Sequence, residues 1–336
     1  VRGDGRPPTI IDVAARAGVS KSMVSRVYSG RGSVSADTRS KVLTAAAELG
    51  YVRNAMAASM SSTRTNTLGV FVRDASTPFY GRLLVTMSER AAEVGYRVVV
   101  ATGSGTFDLD DELRALDHLV EMQVEGLLVC SGLLSSSDLV IRAARTPLVV
   151  AGRPETAETV TSVYCDEVHG GRSLADHVAD LGHRRVTVLQ PGEHQSLTMS
   201  SRARAMADRL LELGVTVDPV RDVRIEDVQG PVDRLLESGG STAVMAPSDR
   251  DALAVMAALR RRGVRVPEDV SVSGYDGVAP LDSPAIGLTS WAQPLREVGR
   301  RAVDALLARL DGGAPAAQHQ VLLGTLQAGR TVARVH

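Results

Sequence analysis

Apolar residues recur along the chain in two rhythms, and the change between them falls near residue 65. Before it the spacing is helical. Val13, Ala14 and Ala17 make one stripe, Val24 and Val27 a second, and Val42, Leu43, Ala46 and Leu49 a third. Thr9 with Asp12 three residues on resembles a capping box, with Asp in place of the usual Glu. Gly18 ends the first helix, and Ser20 suits the N-cap of a second, about Lys21 to Tyr28. The stretch Ser29-Gly30-Arg31-Gly32-Ser33 reads as a loop, after which Ser35 opens a third helix that Gly50 stops. Three short helices with a tight Ala-Gly-Val-Ser turn between the first two predict a helix-turn-helix.

From Thr67 onward short apolar runs appear at Leu68–Val72, Arg97–Ala101, Gly126–Cys130, Pro147–Ala151, Val186–Gln190, Ala243–Ala246 and Val270–Gly274. Amphipathic stretches ending in Gly95, Gly182, Gly214 or Gly263 separate most of them. Strands alternating with helices predict parallel sheets covered on both faces. About 270 residues of such alternation suit two lobes better than one sheet. Ligands in these folds sit beyond the carboxyl ends of the strands, which places a site in the cleft between lobes. The expected architecture is a small all-α helix-turn-helix head plus an α/β core of two parallel-sheet lobes.

Charge sharpens this division. Residues 1–64 hold ten Lys and Arg against four Asp and Glu, a local charge of +6, so the remainder carries −7 to reach the overall −1. A basic head on an acidic body points to nucleic acid at one end only. Cys130 and Cys165 are too few for a disulfide framework, lack metal-ligand spacing and read as small core residues in a reduced compartment. Residues 1–8 lack a hydrophobic stretch and read as a flexible basic lead-in rather than a secretory signal. No apolar run approaches the roughly 20 residues of a membrane helix. The expected location is the cytoplasm, at the nucleoid, with no membrane partner.

With Val24 and Val27 turned inward, Lys21, Ser22, Ser25 and Arg26 share the outer face of the second helix. A recognition helix enters the major groove by its N-terminal end, where Arg or Lys reaches guanine O6 and N7. On these residues alone, an ordinary solvated face is the alternative.

The run Thr-Ile-Ile-Asp-Val-Ala-Ala-Arg-Ala-Gly-Val-Ser-Lys-Ser-Met-Val-Ser-Arg-Val-Tyr-Ser-Gly, Thr9 to Gly30, resembles the head of the lactose-repressor family of bacterial transcription regulators. Val34–Val42 and Glu48–Ala55 continue the likeness, which extends through the body to about residue 310. The resemblance implies base reading by Lys21, Ser22 and Arg26. It also implies phosphate contacts from Ser20, Ser25, Ser33 and Thr38, which position a head without specifying sequence. The Ala-rich stretch Asn54–Met60 is too short to hold a helix alone. By resemblance it becomes a hinge helix on DNA, paired with its copy in a dimer, with Asn54, Ala57 and Met60 toward the minor groove. Met60 stands where the family usually carries a wedging leucine; methionine is also apolar and can wedge between base steps.

In the body, Thr77–Tyr80, Ser162–Asp166, Gly182–Val186, Pro267–Val272 and Gly274–Asp276 resemble the family's sensor core, whose fold is shared with periplasmic sugar-binding proteins. The implied division is a lead-in at 1–8, a head at 9–53, and a hinge and linker at 54–64. One lobe then takes 67–163 and 293–322, the other 164–292 and 323–336. By position, effector contacts fall to Asp74, Phe79, Ser131, Asp166, Thr198, Arg202, Asp249 and Asp276. Carboxylates and a fork-shaped Arg suit vicinal hydroxyls, and Phe79 offers an apolar face. Each Asp at a strand end has a second reading as the cap of the following helix. Four departures stand out. Ser248 replaces an Asn before Asp249, and Gly277 follows Asp276 where a second Asp is common. Ala205-Met206 replaces a Gly-aromatic pair, and Ser196 stands where purine-type members carry Arg, which counts against a nucleobase ligand.

No phosphate-cradling glycine loop, nucleophile elbow or histidine metal pattern occurs, so no cofactor, metal or catalytic role is expected. His183 and Trp291 read as structural. Asp108, Asp110, Asp111 and Glu112 read as a solvated helix start that suits the macrodipole. The implied function is a repressor, not an enzyme, controlled by a small-molecule effector (a sugar or related metabolite) bound between the lobes. It would act as a homodimer, with a tetramer as the alternative, on a pseudo-palindromic double-stranded operator. A sugar-binding transport component would share the core but leaves the head unexplained, and a hydrolase lacks its nucleophile set.

Overall fold

The computed structural model describes residues 6–29, 33–52, 65–103, 108–223, 228–281, 283–312 and 318–335. The chain divides into two compact units, residues 1–65 and 66–336.

The first unit holds α1 (Ile10–Ala17), α2 (Lys21–Ser29) and α3 (Ala36–Leu49). The Asp12 carboxylate accepts from Thr9 N at 2.8 Å and Thr9 Oγ1 at 2.7 Å. Those bonds hold the Asp12 carboxyl below its ordinary range. Gly18 takes φ +67°, which brings Val19 N within 3.0 Å of the Ala14 carbonyl and turns the chain into α2. Ser20 Oγ accepts from Met23 N at 3.2 Å. Val13, Val24 and Val42, all fully buried, meet at the centre with Ala14, Val27, Ala45 and Ala46. One expectation fails: Leu43 is 46% exposed, and Ala45 takes the inward place. Leu43 lies about 100° round the helix from Val42, whereas positions three and four residues on share its face.

In the second unit, one six-stranded sheet joins β1 (Thr67–Val72), β2 (Arg97–Thr102), β3 (Gly126–Cys130), β4 (Leu148–Ala151), β5 (Thr161–Cys165) and β11 (His319–Leu322). Its order is β11-β5-β4-β3-β1-β2, parallel throughout. The other joins β6 (Arg185–Gln190), β7 (Thr216–Arg221), β8 (Ala243–Met245), β9 (Ser271–Asp276), β10 (Thr289–Ala292) and β12 (Thr325–Gln327). Its order is β12-β10-β9-β8-β6-β7, parallel except for β12, which runs antiparallel to β10.

Helices α4 (Pro78–Glu93), α5 (Leu109–Glu121), α6 (Ser136–Ala143) and α11 (Leu295–Leu310) pack on the first sheet. The second carries α7 (Glu167–Asp180), α8 (Leu197–Glu212), α9 (Gln229–Ser238) and α10 (Asp249–Arg261). Strand β1 shows why both faces are buried. Leu68, Val70 and Val72 join Leu83 and Met87 of α4 and Val298 of α11, while Phe71 joins Leu116 and Leu119 of α5.

The chain crosses between lobes after Cys165, after Ala292 and after Leu322. Tyr164 and Cys165 pair with Val321 and Leu322 in the first sheet, so the first crossing comes slightly later than the expected 163. Cys130 and Cys165 are free and buried, and burial pushes both thiols up to about 12. His183 sits with Nδ1 2.7 Å from Thr242 Oγ1 and Nε2 3.1 Å from the Ala333 carbonyl, tying down the C-terminal segment. Trp291 lies within β10, 4% exposed, edge-on to His169. No described helix is long and apolar enough to cross a membrane.

Candidate functional site

On α2, Lys21, Ser22, Ser25 and Arg26 are exposed, while Val24 and Val27 lock the opposite side into the head's core. Residues 21, 22, 25 and 26 recur at helical spacing, so they form one face, and α2 contains no acidic residue to offset its charge. Ser22 Oγ lies 2.8 Å from Ser20 Oγ at the head of the helix. Ser33 is exposed, and Thr38 N donates to Ser35 Oγ at 3.2 Å in the first turn of α3. Asn54, Ala57 and Met60 lie outside the described residues.

In the core, loops at the carboxyl ends of both sheets enclose a cavity of ≈ 80 Å³. At the ~10–15 Å³ a single water needs, that is room for on the order of six waters, the size of a small metabolite. Asp74, Phe79, Ser131, Thr198, Arg202, Asp249 and Asp276 line it together. Asp166 is not among the lining residues. Its carboxylate accepts from His169 N at 2.9 Å and caps α7, the helix-capping alternative that a strand-end Asp always carries.

The residue after that cap, Glu167, turns inward. Arg202 donates Nη2 to Glu167 at 2.8 Å, Nη1 to Asp276 at 2.9 Å and Nη1 to the Pro247 carbonyl at 3.1 Å. Its guanidinium lies 4.0 Å from the centre of the Tyr275 ring. Gln293 Nε2 adds a 2.9 Å bond to Asp276. Burial pushes Asp276 up to about 8 against the pull of Arg202, with Asp249 and Glu167 adding to the rise. Asp276 also holds φ +123°, a strained backbone for a residue with a side chain.

Asp249 is 1% exposed and fully engaged. Its Oδ2 accepts from Gly277 N at 2.8 Å and Val278 N at 3.2 Å, and its Oδ1 accepts from Ser290 Oγ at 2.6 Å. Gly277 has φ +64°, and a Cβ there would fall 2.3 Å from Ala292 Cα. A second Asp at that position has no room, which accounts for the departure. Ser248 caps α10, and its hydroxyl donates to Asp251, whose carboxyl burial pushes up to about 6. Ser196 likewise caps α8, accepting from Met199 N.

In the first lobe the acidic run divides. Asp108 caps α5 and Asp110 is exposed, but Glu112 is 2% exposed and accepts from Arg73 Nε at 2.9 Å and from Ser131 Oγ. The expected solvated face therefore does not extend to Glu112, because a residue four on from the cap turns back toward the sheet. Ser131 is consequently held by the protein, also accepting from Leu133 N at 3.0 Å. Arg153, another lining residue, pairs with Glu155 at 3.1 Å and donates to the Leu134 carbonyl at 2.7 Å. Away from the crossing segments, contacts between the lobes include Arg73 Nη1 to the Gln195 carbonyl at 2.8 Å, Leu197 N to the Gly132 carbonyl at 3.0 Å, and Arg250 Nη1 to Asp74 at 3.6 Å. Arg73, Glu112, Arg153, Glu167 and Arg250 were not foreseen. A single Arg or Glu beside a strand end carries no local signal of burial, and only a buried partner distant in sequence identifies it.

Residues 9–54 match the family of bacterial regulatory proteins, lacI family, and residues 175–332 match a periplasmic binding protein-like domain. The HTH-type transcriptional regulator DegA of Bacillus subtilis (strain 168) is 31% identical over 299 residues, covering 87% of this chain and 88% of DegA. The lac repressor dimer bound to operator and the anti-inducer ONPF is similar in structure, with TM-score 0.83 and 27% identity, covering 98% of this chain and 100% of that one. The complex of the transcriptional regulator CelR with cellobiose gives TM-score 0.69 and 31% identity, covering 96% and 99%.

Proposed function

The chain belongs to the lacI family of bacterial regulatory proteins and is a helix-turn-helix DNA-binding transcription regulator rather than an enzyme; from that premise we propose that it is a repressor whose two-lobed core senses a monosaccharide-sized metabolite. The observation that carries this reading is the cleft itself, where the loops of two lobes enclose a small polar cavity under Phe79. Thr198, Arg202 and Asp276 supply donors and acceptors, and Phe79 supplies an apolar face. Ser131 and Asp249 act mainly by holding the walls, since their polar atoms are occupied by protein partners, while Asp74 has one oxygen held by Ser76. Asp166 acts as a cap.

Lys21, Ser22 and Arg26 read base edges in the major groove, and Ser20, Ser25, Ser33 and Thr38 meet phosphates. So small a reading set calls for two heads on a pseudo-palindromic site, hence a homodimer in the cytoplasm. The lac repressor dimer on its operator supports that arrangement by likeness. Asn54, Ala57 and Met60 of each copy enter the minor groove. Effector binding changes the angle between lobes, and thereby the pairing of those segments, only if the two states differ in affinity for it. The test is a mobility-shift assay on palindromic DNA with the full chain and with residues 65–336. Sequence-specific binding by the full chain alone is expected, and its absence at low salt would overturn the reading.

A further inference from the structure

Seven charged residues line the cavity, and six of them already have hydrogen-bonding partners inside the protein. Arg73 is held by Glu112, Arg153 by Glu155, and Arg202 by Glu167 and Asp276. Asp74 accepts from Ser76 N at 2.9 Å and Ser76 Oγ at 2.6 Å, and Asp249 accepts from Gly277, Val278 and Ser290. Arg250 differs. Among the described residues its side chain makes no hydrogen bond, and its one ionic contact is the 3.6 Å approach to Asp74 across the cleft. It is also the most exposed of the lining arginines, at 39%.

We infer that the effector carries an anionic group, a carboxylate or a phosphate, and that Arg250 is the residue that takes it, in place of Asp74. The inference rests on the effector reading of the same cleft and names its ligand class. A guanidinium presents five N–H donors in a planar fork that fits two oxygens of an anion. Held at 3.6 Å, Asp74 does not satisfy that fork, so a ligand oxygen at hydrogen-bonding distance gains more than it displaces. Helices α4, α8 and α10 all begin at the cavity wall, at Pro78, Leu197 and Asp249, and their N-terminal ends favour negative charge there. The lining carboxylates are offset by donors of the protein: Asp249 accepts from Gly277, Val278 and Ser290, Asp276 is paired with Arg202, and one Asp74 oxygen is held by Ser76.

Such a ligand would bridge the lobes at the same point as the resting pair, exchanging a protein anion for a diffusible one. Arg250 would thereby set specificity for the charged end of the ligand, while Thr198 and the Arg202–Asp276 pair meet its hydroxyls.

The test uses the full chain, melted in chloride buffer of fixed ionic strength with increasing inorganic phosphate or acetate. Emission of Trp291, the one tryptophan of the sequence, gives a second readout. A saturable rise in Tm with a parallel change in emission is expected from at least one of the two anions. Arg250→Gln should need about tenfold more of that anion, as expected for loss of a charge-assisted bond, and Asp74→Asn should need less. Gluconate and glucose 6-phosphate then separate the carboxylate from the phosphate. No response to either phosphate or acetate, or an equal response in Arg250→Gln, overturns the inference. Glucose raising the Tm equally in the wild type and Arg250→Gln, with both anions silent, would leave the cleft an effector site and remove Arg250 from it. Failure of the broader reading shows separately, in the absence of any operator shift.

Discussion

Replacing Arg202 with Met removes one cation and leaves two carboxyl groups facing each other in the second lobe. Arg202 is 3% exposed, and so are its surroundings: Glu167 is 5% and Asp276 8% exposed. Methionine keeps most of the apolar stem and removes the guanidinium that lies over the Tyr275 ring, so the loss is chiefly electrostatic. Breaking a buried pair by removing one partner costs about 3–5 kcal/mol, because the remaining charge is left without compensation. For a domain of this size, where ~1 kcal/mol moves Tm by roughly 2–4 °C, the expected drop is on the order of 6–20 °C.

The pH dependence follows from the carboxyls. Burial raises Glu167 and brings Asp276 to about 8, both above their values in an unfolded chain. The folded state then holds more protons than the unfolded state between about pH 4 and pH 8, so this contribution is fully present at low pH and is lost as pH rises through the folded values. Without Arg202 both groups rise further, and the variant should recover part of its deficit at pH 5.5 and show its largest deficit near pH 8. Differential scanning calorimetry of wild type and variant at both values reads this directly. A variant that melts within about 2 °C of wild type at pH 8, or a deficit that grows on acidification, would refute the reasoning.

Three further outcomes are expected. Arg26→Ala should relax sequence preference at one position of each half-site, costing about 1–3 kcal/mol there; selection from randomised operators would show it, and an unchanged preference would remove Arg26 from base reading. Gly277→Ala places a Cβ 2.3 Å from Ala292 Cα at φ +64°, and should destabilise the core by more than about 1 kcal/mol, which urea denaturation checks. Arg73→Gln breaks the Glu112 pair and the bond to the Gln195 carbonyl; hydrogen exchange should quicken at residues 195–200, whereas unchanged exchange would mean that this contact does not hold the lobes together.

Much of the architecture was legible because it depends on neighbours in sequence. Apolar runs bounded by turn signals marked β1, β2, β3, β4, β6, β8 and β9, all buried or nearly so except β2, an edge strand of half-buried and exposed residues. No such run marked β5 or β7, and β10, β11 and β12 in turn were not readable as strands. These last three are three or four residues long, two of them carry the chain across lobes, and their pairing partners lie far away in sequence. Leu43 was misplaced because an apolar residue beside Val42 looks like part of the stripe, while the small Ala45 that enters the core does not.

What the sequence determined by itself is the order of elements, the helix-turn-helix with Val24 and Val27 inside and Lys21, Ser22 and Arg26 outside, and the placing of a site beyond the strand ends. Tertiary structure alone decided which charges are available to a ligand there. Arg202 meets Glu167 and Asp276 at sequence separations of 35 and 74, Asp249 meets Ser290 at 41, and Glu112 meets Arg73 at 39. Helix and strand periodicity reports on a few residues in either direction. A buried ion pair depends on how three crossings fold two sheets against each other, and no local pattern separates an Arg that is already paired from one, such as Arg250, that is held only loosely.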